Sequence, residues 1–389
     1  MKGSENKKWI VYFASGNYWT GGVTGRHHLL KRLSKDYNIL FVNSLGLASI
    51  KTVKKNTIAK RIFNKVNSWT KYLKRDGGFY IFSPINFSIG IKKIDRLNNG
   101  MISFQFKRVF KKLGIEKPFI LISNPKAALV LRRIETGKII YNYSDKFKSY
   151  REISDGGYIA GLDDELKHKS DIIICNLRKT YDELSETEFK NKIHYLPHSV
   201  DFDMFNSQIN ESFDAPEDIR NIKHPIVGYY GTLTDSNDWE IIKYCAGERP
   251  DHSFVFIGKP REDIDREVKN MTNVHFLGYK DYKTLPFYLK YFDVCIMFWK
   301  VTDWIYNSNP LKTKEFLAMG KPVVSVKIYE LEKNFADIIS LCGSKEEFLE
   351  KIDEELAHNS KEKQQKRIER VKNSSWEKDA VVIKELLAS

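Results

Sequence analysis

Short, continuous apolar runs alternate with amphipathic segments along most of this chain. In the first half the runs cover residues 9–14, 38–43, 79–82, 119–122, 139–143 and 171–175. Between them, apolar residues fall at helical spacing over 23–36, 101–113, 127–134 and 158–168. Uninterrupted apolar strands separated by amphipathic helices predict a parallel sheet covered on both faces. A polar stretch over 198–225, rich in Asn, Asp, Glu and Pro, predicts the connection to a second domain. The alternation then restarts at 226–230, 253–257, 274–277, 294–298 and 322–326. Two such units in tandem predict an α/β chain of two Rossmann-like domains facing a central cleft, where ligands of open parallel sheets bind.

The densest local signal is Ser308-Asn309-Pro310-Leu311-Lys312-Thr313-Lys314-Glu315-Phe316-Leu317-Ala318-Met319-Gly320-Lys321-Pro322. Asn309 is suited to the N-cap and Pro310 to the first helical position, while Gly320 and Pro322 end the helix. Such a start leaves backbone N–H groups unpaired near Leu311 and Lys312, a site suited to a diphosphate. Glu315 lies about a turn and a half further in, placed to accept hydrogen bonds from vicinal hydroxyls such as those of a ribose. The alternative is a capped core helix with no ligand.

This segment resembles the donor-binding motif of GT-B glycosyltransferases, in particular the retaining family-4 type of bacterial surface-polysaccharide synthesis. The resemblance implies an acceptor-binding domain over 1–200, a donor-binding domain over 201–370 and a C-terminal helix, 371–389, crossing back to the first. It implies a ribose role for Glu315 and a phosphate role for the backbone of Pro310, Leu311 and Lys312. The family pattern has a second glutamate eight positions before Glu315, where this chain has Asn307. An amide still hydrogen-bonds a sugar hydroxyl but carries no charge, so retention is expected while inversion stays open. After the strand 226–230, Gly231 and Thr232 are expected to approach phosphate or sugar. The family places an Arg and a Lys beyond that turn, whereas this chain has Asp235, Asn237 and Asp238. Lys259 is the leading replacement cation for stabilising the leaving diphosphate, with Arg261 and Lys312 as alternatives. Tyr279 falls where the family contacts the nucleobase.

In the first domain, Gly16, Gly21 and Gly22 bracket a loop followed by Arg26-His27-His28-Leu29. The spacing is not the dinucleotide pattern. The resemblance gives Gly21, Gly22 and Arg26 to the acceptor loop and makes His28 a candidate catalytic group, against the alternative of a surface His pair. Asp145, after the strand 139–143, is a candidate base for an acceptor hydroxyl, or a group that positions it, or an ordinary turn aspartate. Asp201-Phe202-Asp203 spells a metal-site pattern, but it lies in a Leu196-Pro197-His198-Ser199-Val200 context that resembles a structural turn, so no metal is expected.

Charge adds a second theme. Residues 1–117 hold 24 Lys or Arg against 5 Asp or Glu, a net of +19, so the rest of this +14 chain is net acidic. A basic face attracts phospholipid head groups, acidic glycans or nucleic acid; nucleic acid ranks last because no zinc-finger or RNP spacing accompanies the charge. Over 51–75 the basic residues flank Ile58, Ile62, Phe63, Val66, Trp69, Tyr72 and Leu73, which predicts either an interfacial helix or a helix packed on its own domain. No apolar run approaches a membrane span and residues 1–8 lack a signal pattern. The four cysteines have no paired spacing, which predicts buried thiols. The expected protein is therefore cytoplasmic and peripheral on the inner face of the cell membrane, touching it through 51–117. It takes a nucleotide sugar, a UDP-sugar first among them, as substrate with no tightly bound cofactor, and a lipid-linked or oligosaccharide acceptor. A catalytically degenerate scaffold of the same fold is the alternative.

Overall fold

The computed structural model describes residues 7–18, 25–45, 72–85, 92–143, 156–212, 214–259 and 264–389. The chain divides into two compact units, Met1–Pro197 with Trp376–Ser389, and His198–Ser375.

The first unit is built on eight strands: β1 (Trp9–Phe13), β2 (Asn38–Val42), β3 (Leu73–Asp76), β4 (Phe79–Phe82), β5 (Phe119–Ile122), β6 (Ile139–Tyr143), β7 (Ile172–Cys175) and β8 (Ile193–Tyr195). Their order is β3-β4-β2-β1-β5-β6-β7-β8, parallel throughout except for β3 against β4. Alternation along β1 explains its unbroken apolar run: Val11 and Phe13 enter the core on one face, Ile10 and Tyr12 the core on the other. The helix Trp376–Ala388 covers that second face with Ala380, Ile383 and Leu387. It is tied to the helix Gly25–Leu33 and its following turn by Arg32–Glu377, by Lys384–Asp36 at 3.0 Å and by the His28 ring stacked on Trp376. The chain end thus returns to the first unit, as expected, although the helix begins at Trp376 rather than 371.

The second unit has six parallel strands, β9 (Ile226–Tyr230), β10 (Ser253–Ile257), β11 (Val274–Phe276), β12 (Val294–Met297), β13 (Val323–Val326) and β14 (Ser340–Cys342), ordered β11-β10-β9-β12-β13-β14. Every residue of β9, β10, β12 and β13 is buried. The order reverses between β9 and β12, so the carboxyl ends of these two strands flank the natural ligand crevice.

Three expectations change. The polar stretch 198–225 is no bare linker: Phe205 and Ile219 enter the second core, and Val200 bonds Ser374. Val200, Phe205 and Ile219 are widely spaced anchors in a polar background and give no periodic signal. The helix expected over 51–75 does not include its last residues, which form β3; residues 51–71 lie outside those described. Lys74, Arg75 and Asp76 are exposed there, and charge on an edge strand discourages further pairing. Asn309 is not the cap of the motif helix, which spans Leu311–Ala318 with Pro310 at the N-cap, extended at φ −74° and ψ 114°. The four cysteines are buried thiols.

At the carboxyl edge of the second sheet the Gly231 amide donates to Ile257 and the Gly258 amide to Gly278, both at 2.8 Å. Gly258 has φ +156°, and a Cβ there would lie 1.9 Å from the Gly231 carbonyl oxygen. Gly258→Ala is expected to lose about 3 kcal/mol in the unfolding transition of the second unit. Gly161→Ala, on the helix Gly156–Lys169 where a Cβ meets nothing within 4 Å, should instead gain roughly 0.5–1 kcal/mol. Urea midpoints of the two variants check the contrast, and equal midpoints would contradict it.

Candidate functional site

The helix Leu311–Ala318 is buried from Thr313 to Ala318, so its polar side chains need partners inside the protein. The Thr313 hydroxyl lies 3.4 Å from the Met297 sulfur and the Lys314 ammonium bonds the His198 carbonyl. The Glu315 carboxylate accepts from Tyr230 at Oε2 (2.7 Å) and from Tyr282 at Oε1 (2.9 Å). Burial pushes the Glu315 carboxyl above its ordinary range, against the two tyrosine hydrogen bonds and the charge of Lys312. Burial and the adjacent carboxylate together raise both phenols, so they stay protonated donors.

The end of this helix is fixed as firmly as its middle. Lys321 donates to the carbonyls of Lys290 and Phe292, and the buried Arg367 guanidinium pairs with Glu355 at 2.7 Å and reaches Asn359 at 2.8 Å. Gly320, at φ +69°, lies against Gln364 of the helix Lys361–Val371. The Gly-Lys-Pro turn is thus clamped from two sides.

At the other end, the Leu311 and Lys312 amides begin the helix and have no acceptor within it. Pro310 has no N–H, so of the three residues expected to hold phosphate through the backbone only Leu311 and Lys312 are donors. The Lys312 ammonium lies 5.6 Å from the Tyr229 ring and 5.9 Å from the Trp299 ring. It sits directly over Gly231, where an added Cβ would meet Lys312 Cε at 2.2 Å. Lys312 also lines a cleft of about 450 Å³ with Tyr229, Thr232, Asp235, Trp299, Trp304 and Pro310.

The residues singled out in the sequence are thus divided. Thr232, Pro310 and Lys312 line one cleft, with Gly231 against the Lys312 side chain and Glu315 buried on the same helix. Lys259 is exposed at the end of β10, beyond Gly258. Tyr279 is 74% exposed and lines a different cavity with Asp214, Lys280, Phe287 and Tyr288. The Asn307 amide donates to the Asp303 carbonyl and carboxylate, leaving its buried Oδ1 as the open acceptor. Of the three residues standing where the family has cations, Asp238 caps the helix Trp239–Glu248 and Asn237 closes its turn onto the Thr234 amide; only Asp235 faces the cleft. His28 has its ring against Trp376, and the packing of the terminal helix accounts for it. Asp201 stands at the N-cap of Phe202–Asn206, and no acidic, His or Cys cluster suited to a metal occurs among the described residues. Gly21, Gly22, Asp145 and Arg261 lie outside the described residues, as does the side chain of Arg26. Trp299, Trp304, Tyr230 and Tyr282 join the site without belonging to any sequence motif. The Tyr229-Tyr230 doublet before Gly231 was the one local hint, since Tyr282 arrives from 33 residues away.

Residues 225–358 match the family described as Glycosyl transferases group 1. The second unit is thus similar to glycosyltransferase group 1 domains over these residues. Over 170 residues the chain is 27% identical to TuaH of Bacillus subtilis, whose name assigns it to teichuronic acid biosynthesis as a glycosyltransferase; the match covers 42% of each protein. Among solved structures, sucrose-phosphate synthase from Thermosynechococcus elongatus superimposes with a TM-score of 0.67 at 14% identity, covering 98% of both chains. Anabaena HepE, in complex with UDP and glucose, gives 0.62 at 15% identity over 98% of this chain and 100% of its own. The chain shares the two-domain α/β fold of these structures, the GT-B fold.

Because the Glu315 carboxyl is raised in the folded protein, its ionisation lowers stability as pH rises through the carboxylate range. Glu315→Gln removes that penalty. The ligand-free variant should melt above wild type at about pH 7, and the gap should close as pH falls towards about 4. Melting curves across this range check it; a gap that widens on acidification would contradict the assignment.

Proposed function

We propose that the protein is a glycosyltransferase that moves a sugar from a nucleoside diphosphate, a UDP-sugar foremost, to a glycan acceptor of the cell surface. The observation that carries this reading is the helix Leu311–Ala318, with two amide donors and Lys312 at its start and a buried carboxylate one turn inside. The Leu311 and Lys312 amides and the helix dipole take the diphosphate. Glu315 takes the ribose hydroxyls, and Tyr279 stacks on the base. Lys312 replaces Lys259 as the leading cation, because it stands over Gly231 at the cleft while Asp235 supplies no positive charge. Trp304, 65% exposed, offers a face to the sugar, and Asn307 is assigned to one of its hydroxyls.

In the transfer, the acceptor oxygen bonds to the anomeric carbon, the bond from that carbon to the β-phosphate oxygen breaks, and the diphosphate leaves with the electron pair. Positive charge at Lys312 and the helix start stabilises the departing anion. The acceptor proton goes to the departing phosphate oxygen if configuration is retained, which is the favoured course, or to Asp145 if it is inverted. Gly21, Gly22 and Arg26 are assigned to the acceptor loop. UDP-bearing neighbours support the donor class: besides HepE, an E. coli trehalose-6-phosphate protein bound with UDP-2-fluoro glucose has a TM-score of 0.67 at 11% identity.

The acceptor is assigned to a lipid-linked glycan at an anionic membrane surface. No helix among the described residues is long and apolar enough to cross a membrane, so attachment is peripheral in this reading. Lys107, Arg108, Lys111 and Lys112 are exposed on the helix Lys92–Leu113, beside a groove of about 540 Å³ lined by Tyr72, Leu73, Ile85 and the 65% exposed Phe104. Basic residues around exposed apolar ones suit phospholipid head groups. The scaffold alternative draws on the missing Arg and Lys beyond β9 and on Asn307, where the family pattern has a glutamate.

Thermal shifts with UDP, GDP, ADP, CDP and dTDP, run on wild type, Glu315→Ala and Lys312→Met, test the donor site. One diphosphate should stabilise wild type, and each variant should bind it more weakly by about 1.5–3 kcal/mol. No shift with any of them transfers the case to the scaffold. Pelleting with phosphatidylglycerol vesicles should fall at least threefold for Arg108→Glu with Lys112→Glu, and unchanged pelleting would remove the membrane assignment.

A further inference from the structure

A ribose contact asks only for a carboxylate, yet Glu315 is held by two phenols from different parts of the chain. Tyr230 is the last residue of β9, 3% exposed, with its ring edge-on to Phe316 at 5.0 Å. Tyr282 opens the turn Tyr282–Thr284 after β11, with its ring 5.9 Å from Phe205. Each hydroxyl takes a different carboxylate oxygen. A carboxylate oxygen has two lone pairs, so one remains on each. Two open acceptor sites on two joined oxygens match two neighbouring hydroxyls. A ligand with one hydroxyl would leave part of a buried anion unpaired, which is the situation in which sites reject an analogue most strongly.

We propose that Tyr230 and Tyr282 are positioning residues that hold Glu315 open to a vicinal diol, and thereby make the site select ribonucleoside diphosphates over their 2′-deoxy counterparts. This rests on Glu315 being the ribose contact. The pair acts on orientation and on charge. With one phenol gone, the carboxylate gains a rotational choice and loses a donor that keeps it ionised. The charged and titratable groups that face it are Tyr230, Tyr282 and Lys312, with Asp201 acting on Tyr282. Removing either hydroxyl therefore moves protonation of Glu315 to higher pH, and a protonated carboxyl has lost acceptor capacity for a diol.

The test is calorimetric titration of wild type, Tyr230→Phe, Tyr282→Phe and Glu315→Gln with UDP, GDP, ADP, CDP and dTDP, followed by the 2′-deoxy form of whichever ribonucleotide binds best. Wild type should prefer the ribo form by about 100-fold, the upper worth of one hydrogen bond to a charged group. Each Phe variant should cut that ratio at least tenfold, through weaker ribo binding, with deoxy affinity changed less than threefold. The acid limb of ribo affinity should also start at higher pH in the Phe variants, a displacement that loss of packing alone does not produce. A ratio that survives both Phe substitutions but collapses in Glu315→Gln overturns the positioning pair and leaves the donor reading standing. Nucleotide affinity untouched by Glu315→Gln, or tightest binding of dTDP, overturns the ribose contact and the pair with it. Unfolding curves of each variant separate these outcomes from a failure to fold, and Tyr282, partly exposed, carries the test if Tyr230→Phe is unstable.

Discussion

A carboxylate taken out of water must find donors or give up its charge, and Glu315 is only 7% exposed. Much of the polar edge of the second sheet is arranged around that constraint. β9 ends on Tyr230 rather than on another aliphatic residue, and the chain after β11 turns to bring Tyr282 to the other oxygen. The helix carrying Glu315 is buried along most of its length, capped at one end by Pro310 and clamped at the other by Lys321 and Arg367. Its position is therefore set by the core. A helix held this rigidly presents its first amides and Lys312 at a fixed place beside Gly231, which is what recognition of a diphosphate requires.

The same elements show what the sequence reveals and where it stops. Strands buried on both faces are written as unbroken apolar runs, so β4, β5, β6, β9 and β10 are legible to the residue. β3, β8 and β14 are not: the first is a charged edge strand, and the others are three-residue strands, Ile-His-Tyr and Ser-Leu-Cys, that carry a polar residue and form no apolar run. The motif helix is legible because Pro310, Gly320 and Pro322 punctuate it, yet its cap falls on Pro310 itself. Glu315 is legible as a special carboxylate, but its partners are not, since Tyr282 comes from 33 residues away and no local spacing announces it. For the same reason Lys312 stood behind Lys259: only folding shows that Gly231 leaves room for the lysine end. Three acidic or amide residues after β9 looked like missing cations, whereas two of them serve the local turn and helix cap.

The first unit carries a different kind of information. Its sheet is as regular as the second, and its core closes only with the helix Trp376–Ala388, from the far end of the chain. Its distinguishing property is charge, which sequence counting finds without structure. The fold adds the placement of that charge: four basic side chains exposed on one helix, next to Phe104 and an apolar groove. A regular core and a chemically specialised surface are separable properties, and fold alone does not assign an acceptor.

The most direct test of the account is a crystal structure of the protein with the nucleoside diphosphate that stabilises it best. The account predicts both ribose hydroxyls within hydrogen-bond distance of the Glu315 carboxylate, with Tyr230 and Tyr282 still in place, and the β-phosphate on the Leu311 and Lys312 amides beneath the Lys312 ammonium. A nucleotide bound elsewhere, with Glu315 touching nothing beyond its two tyrosines, would contradict it.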